Sequence, residues 1–163
     1  MTPLRVALAV VLAAALTVAA APAVEDARAS NAAHAGQTAA DDVRDAVVAL
    51  AASTPAPPGA PAATRTVTVS VPPADVTTAR AALLVGTGHG DAATTDVLVV
   101  RAGTRTHTTP LPVDVRIVAN GTVAPDDTGL AVTDRATLGL RYVRYDGRPT
   151  VLVTAQRGAR VYT

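Results

Sequence analysis

Residues 6–24 run without a charge after the opening Met1-Thr2-Pro3-Leu4-Arg5. As a helix, about 19 residues cover roughly 28 Å, close to the roughly 30 Å hydrocarbon thickness of a bilayer, so the stretch predicts one transmembrane crossing. The pattern then changes. Residues 25–52 contain no Pro and only Gly36, and Ala40, Val43, Val47 and Leu50 recur at helical spacing while Asp41, Asp42, Arg44 and Asp45 fall on other faces. This predicts a helical stem that continues the span. Its small residues Ala29, Ala32, Ala33 and Gly36 suit either a partner helix or the chain's own β domain. The second use is preferred, because small residues are what this composition supplies.

At residues 53–64 the helical pattern gives way to a Pro/Ala-rich linker that favours an extended, semi-rigid spacer. Residues 66–71 read T-V-T-V-S-V, an alternation that places Val67, Val69 and Val71 on one face of a half-buried strand. Further strands are predicted at 82–85, 96–101, 105–109, 113–118, 130–133, 137–145 and 150–155, with a short last one at 160–162. Asn120-Gly121 and Asp146-Gly147 are the dipeptides of two-residue hairpins, and residues 125–129 form a longer turn. The fold class is therefore an N-terminal transmembrane and stem helix followed by an all-β antiparallel domain, a sandwich or curled sheet. The expected organisation is a cytoplasmic start at 1–5, a transmembrane helix at 6–24, a stem at 25–52, a linker at 53–64 and an extracytoplasmic β domain at 65–163.

Composition sharpens this picture. Of the 163 residues, 49% are hydrophobic, yet Phe, Trp and Cys are absent and Met occurs once, so Ala, Val and Leu must fill any core, with at least one of the three Tyr as core filler. The formal charge of +1 lacks the basic footprint of a nucleic-acid binder. Zero Cys excludes disulfides, thiolate nucleophiles and cysteine metal sites. Arg5 and the amino terminus precede the span while Glu25, Asp26 and Arg28 follow it, which favours a cytoplasmic N-terminus. A cleaved signal peptide is the alternative, with small-x-small exits at Ala21-Pro22-Ala23 and Ala27-Arg28-Ala29 and a mature start near Val24 or Ser30. Both readings export the β domain.

Candidate chemistry is sparse. Gly86-Thr87-Gly88-His89-Gly90-Asp91 follows a strand but lacks the last Gly of a dinucleotide fingerprint, and a P-loop needs a Lys that the chain does not contain. His89 and Asp91, joined by His34 or His107, are the residue types for a divalent metal, without a spacing that converges them. Of the serines, Ser30, Ser53 and Ser70 lie beyond the span, and none stands in a G-x-S-x-G elbow. Asp75, Asp91, Asp96, Asp114, Asp126, Asp127, Asp134 and Asp146 offer carboxylates without an aromatic platform for a sugar. The C-terminal arginines, Arg135, Arg141, Arg144, Arg148, Arg157 and Arg160, read as a solvated sheet face. No catalytic residue, metal site or cofactor is expected. Asn120-Gly121-Thr122 is an N-glycosylation triplet at a hairpin tip.

The apolar leader running into Pro22-Ala23-Val24-Glu25-Asp26-Ala27-Arg28, the later Leu111-Pro112-Val113-Asp114-Val115-Arg116, and the Tyr145-Asp146-Gly147-Arg148-Pro149 hairpin resemble an uncharacterised family of small single-pass membrane proteins from halophilic archaea. The resemblance covers nearly the whole chain and names no activity. It implies a role beside type IV pilus-like or secretion systems, although proteins of halophiles are usually strongly acidic and this one is near neutral. The helix-then-sheet plan is also similar to a type IV pilin. Pilins, however, carry a Glu near the start of the apolar stretch, and here Glu25 stands after it. The expected function is a non-enzymatic, membrane-anchored envelope protein held by the lipid bilayer, with envelope or secretion-system proteins as partners and no nucleic acid. The alternative is a secreted β binding module. A hydrolase using His89 and Asp91 is a third class.

Overall fold

With Pro22 as the sole interior breaker, one helix, α1 (Pro3–Ala51), runs through both the apolar stretch and the amphipathic segment. The structure, a computed structural model, describes residues 3–57, 59–86 and 96–162. At about 1.5 Å per residue α1 is roughly 73 Å long. It ends where Ser53 donates from both its backbone N–H and its hydroxyl to the carbonyl of Leu50, just before Pro55.

The remainder forms one open sheet from β1 (Thr64–Ser70), β2 (Ala81–Gly86), β3 (Val97–Ala102), β4 (Arg105–Pro110), β5 (Asp114–Ala119), β6 (Thr122–Val123), β7 (Gly129–Tyr145) and β8 (Arg148–Tyr162). The order is β4-β3-β2-β7-β8-β5-β6, with β1 also paired to β7. β7 organises the sheet. One of its edges pairs with β8, while the other is shared between β2 at residues 129–132 and β1 at residues 135–141. Beyond β1, the Pro-rich segment continues along that edge: Tyr142 and Arg144 donate their backbone N–H groups to the carbonyls of Ala63 and Ala56. The segment expected as a spacer is thus tied to the sheet.

The helix-then-β plan is as the sequence predicts, with three differences. The strands expected at 130–133 and 137–145 are one strand, and those at 150–155 and 160–162 are another. Each pair looks broken in sequence because the β7–β8 ladder shifts register between Val132 and Leu138. Gly158 permits the irregularity: it sits at φ +73°, and a Cβ there would lie 2.0 Å from the Arg135 carbonyl oxygen. Second, β5 and β8 are parallel. The Asp146-Gly147 hairpin folds β8 into the gap between β7 and β5, and a strand inserted there must run antiparallel to one and parallel to the other. Third, β6 is a two-residue strand completing the Asn120-Gly121 hairpin, whose residues take φ +52° and +80°.

Alternation puts Val67, Val69, Leu83, Val85, Leu98, Val100, Val115, Ile117, Leu130, Leu138, Leu140, Val151 and Val153 in one core. The amphipathic face of α1 supplies the cover: Ala29, Ala32, Gly36, Ala39, Ala40, Val43, Ala46, Val47 and Leu50 are buried. Tyr142 is the aromatic filler, only 4% exposed. Gly36 marks the closest approach of helix to sheet, where an added Cβ would lie 2.4 Å from Cγ1 of Val100.

This contact predicts that Gly36→Ala loses stability. The helix-propensity gain of about 1 kcal/mol is outweighed by overpacking of about 1–3 kcal/mol. Thermal unfolding of the full chain in detergent should show a lower midpoint for Gly36→Ala, and adding Val100→Ala should recover part of the loss by making room for the new methyl. Equal, additive losses in the double variant would show that the two side chains do not meet.

Candidate functional site

The chain presents two features that go beyond a packed fold. The first is the N-terminal half of α1. From residue 3 to residue 27 every residue is exposed, including Leu4, Val6, Leu8, Val10, Val11, Leu12, Leu16, Val18 and Val24. The uncharged part, 6–24, covers roughly 28 Å of helix, close to the hydrocarbon thickness of a bilayer. Its one mid-helix hydroxyl is satisfied internally, Thr17 Oγ1 donating to the carbonyl of Ala13 at 2.9 Å. Because a helix apolar on all sides needs an apolar surrounding, this segment is a candidate membrane span.

Exposure ends abruptly at a polar collar. Arg28 donates to Glu25 at 2.9 Å and to the backbone carbonyl of Asp75 at 2.6 Å, Arg105 at the start of β4 pairs with Asp26, and Asn31 donates to the carbonyl of Thr77 at 3.1 Å. The backbone is tied as well, the N–H of Ala79 donating to the carbonyl of Arg28. The β domain therefore begins within about one helical turn of Val24. Asp75 in turn accepts from the N–H and hydroxyl of Thr77 and from the N–H of Thr78, and these bonds, the Thr77 N–H first, hold its carboxyl below the usual range.

The second feature is a buried carboxylate. Asp96, immediately before β3, is 6% exposed and accepts from the backbone N–H of Val115 in β5, while its own carbonyl accepts from the N–H of Leu111. Asp114 lies beside it, accepting from Thr150 Oγ1 at 3.1 Å and Arg116 Nε at 3.4 Å, and Arg116 also pairs with Asp126. Burial, reinforced by the charge of Asp114, pushes the Asp96 carboxyl up to about 6. A raised carboxyl is a possible proton acceptor in an enzyme. Here its hydrogen bonds join the start of β3 to β5 and to the segment leading into it.

The remaining sequence candidates are scattered. His34 lies on α1 and His107 on β4, Ser30 and Ser70 are exposed, and Ser53 closes the helix. His89 and Asp91 lie outside the described residues. Among the described residues no group of three His, Asp or Glu side chains is placed to hold a metal ion. Asn120 is exposed at its hairpin tip, with the Thr122 hydroxyl donating to the carbonyl of Ala119. In the C-terminal arginine cluster, Arg141 donates to the carbonyl of Ala60 and Arg144 to that of Gly147. In the sequence Asp96 is one of many carboxylates. The signal that distinguishes it is its place directly before the apolar run Val97-Leu98-Val99-Val100.

A family model described as Domain of unknown function (DUF7311) matches residues 3–156. No curated protein and no solved structure matches the chain. The matched region takes in the whole of α1 and all the strands up to the final residues of β8.

Asp96 makes stability depend on pH in a definite direction. Its folded value of about 6 exceeds the ordinary 3.8, so the native state binds the proton more tightly. The resulting stabilisation is fully present below about pH 4 and is lost as pH rises through 6, amounting to at most about 3 kcal/mol. Asp96→Asn keeps an acceptor for Val115 and removes the titration. Denaturant unfolding across pH 4–7 should show a flatter profile for the variant than for the parent, with equal or greater stability at pH 7. Parallel profiles would show that Asp96 ionises normally.

Proposed function

The chain belongs to the family Domain of unknown function (DUF7311), and on its own geometry we propose that it is a single-pass, membrane-anchored, non-enzymatic protein whose β domain works at the membrane surface. One observation carries the reading. A fully exposed apolar helix long enough to cross a bilayer is continuous, through Pro22, with the helix that closes the core of the β domain. Anchor and domain share a secondary-structure element, so a force or displacement on one is transmitted to the other through backbone hydrogen bonds. Pro22 removes only one of these, and neighbouring groups compensate readily for such a loss in membrane helices.

The same geometry favours an uncleaved anchor over a cleaved signal. A cut after Ala29 would remove Arg28, whose carbonyl and side chain hold the 75–79 segment, and would sever a residue that is itself buried. A cut after Ala23 leaves the core intact and is the form in which a secreted module would survive. The family match from residue 3 supports treating the apolar segment as part of the shared unit. With the amino terminus and Arg5 before the span and Glu25, Asp26 and Arg28 after it, the proposed orientation puts the N-terminus in the cytoplasm and the β domain outside. The proposed partners are the lipid bilayer and other envelope proteins. On the resemblance to small single-pass proteins of halophilic archaea, a type IV pilus-like or secretion system is the assembly to crosslink first.

Fractionation of the native host with intact-mass analysis tests the anchor. A full-length mass that stays in the membrane through alkaline carbonate and leaves it only with detergent is expected. A soluble extracellular product starting near Val24 or Ser30 would replace the anchor with the secreted module.

A further inference from the structure

Val76 is 88% exposed, the highest value among the large apolar side chains of the described residues. Exposing a single Val is unremarkable in itself. What sets it apart is the rigidity and the position of its presentation. The segment 72–80 opens with Pro72-Pro73. It is then closed by the Asp75 side chain, which accepts from the Thr77 N–H, the Thr77 hydroxyl and the Thr78 N–H, and by the Asp75 N–H, which donates to the Thr78 carbonyl. Val76 is the residue enclosed at the tip of this turn. Three more bonds, from Arg28 to the Asp75 carbonyl, from Asn31 to the Thr77 carbonyl and from Ala79 to the Arg28 carbonyl, fasten both sides of the tip to α1.

Those attachment points set its depth. Arg28 and Asn31 lie four and seven residues beyond Val24, about 6 and 10 Å along the helix. The headgroup layer of a bilayer is roughly 5–8 Å thick on each side of the hydrocarbon. The turn is therefore held at the outer part of the headgroup layer whenever residues 6–24 fill the hydrocarbon. The neighbouring β3–β4 turn lies against the same stretch of α1: a Cβ built on Gly103 would stand 3.4 Å from Ala29 Cβ. Arg80, Arg101 and Arg105 belong to the adjoining strand ends, while Glu25 and Asp26 are engaged by Arg28 and Arg105, and Asp75 by its own turn. An exposed apolar tip in a segment that ends on the exposed Arg80, with the exposed Arg101 on the strand paired to β2, matches the chemistry of an anionic lipid surface.

We infer that the 72–80 turn is a second membrane contact, seating Val76 among the lipid headgroups so that the β domain rests on the bilayer instead of standing off it. The inference rests on the anchored reading and adds a surface to it. Tethering by α1 makes the contact intramolecular, so a single small apolar residue suffices where it would fail as an independent anchor.

Because the chain has no Cys, single cysteines can be placed at will. The full chain is reconstituted into phosphatidylcholine–phosphatidylglycerol vesicles with an environment-sensitive fluorophore at Leu12→Cys, Val76→Cys or Ala52→Cys, the last exposed and directly after the far end of α1. The expected result is a blue shift and loss of iodide quenching at positions 12 and 76 and neither at 52. A shifted Leu12→Cys with Val76→Cys behaving like Ala52→Cys would overturn the second contact and leave the anchor standing. A water-exposed Leu12→Cys would overturn both. Circular dichroism of each labelled chain verifies that the fold is retained, which substitution at a side chain 88% exposed should not disturb.

Discussion

The face of α1 that carries Ala32, Gly36, Ala40, Val43 and Val47 is the surface on which the sheet closes its core. A chain without Phe or Trp cannot fill a thick core, so helix and sheet must approach closely. Small residues on one side and β-branched residues on the other make that approach possible, and Gly36 against Val100 is its limit. The helix packs on β1, β2, β3, β4 and β7, and their apolar residues depend on this cover. Without it, the inner face of an open sheet would be exposed to water.

The sheet meets the helix by bending. β7 and β8 are long strands of 17 and 15 residues, and their shared irregularity between Val132 and Leu138 lets β7 serve β2 with one half and β1 with the other. Gly158 absorbs the backbone strain at that point. The Pro-rich segment after α1 then returns along the upper edge of β7, giving the helix a second attachment to the sheet through Ala56 and Ala63. Helix, linker and sheet thus form one closed circuit of packing and hydrogen bonds, with the apolar half of α1 projecting from it.

Polar groups act where this circuit has ends. Asp96 ties the start of β3 to β5 from a position so buried that its charge is costly, and Arg28, Asn31 and Asp75 pin the 72–80 turn to the helix at the last polar level before the exposed apolar segment. The collar also separates two kinds of helix surface. Below it α1 is apolar on all sides, and above it apolar on one side only, so the same secondary structure suits lipid in one half and a protein core in the other.

Much of this was legible in the sequence because it rests on local patterns. The uncharged run at 6–24, the helical spacing of Val43, Val47 and Leu50, the alternation at 66–71 and the two hairpin dipeptides each report a backbone preference carried by a few neighbouring residues. Tertiary structure decided the rest: that Gly36 packs on Val100, that β8 inserts between β7 and β5 and so runs parallel to one of them, that two apparent strand breaks are one irregularity in the β7–β8 ladder, and that Asp96, alone among the carboxylates of the described residues, is buried at the β3–β5 junction. These depend on which distant segments meet. Periodicity encodes which face of an element is apolar, but the partner of that face is chosen by the packing of the whole chain.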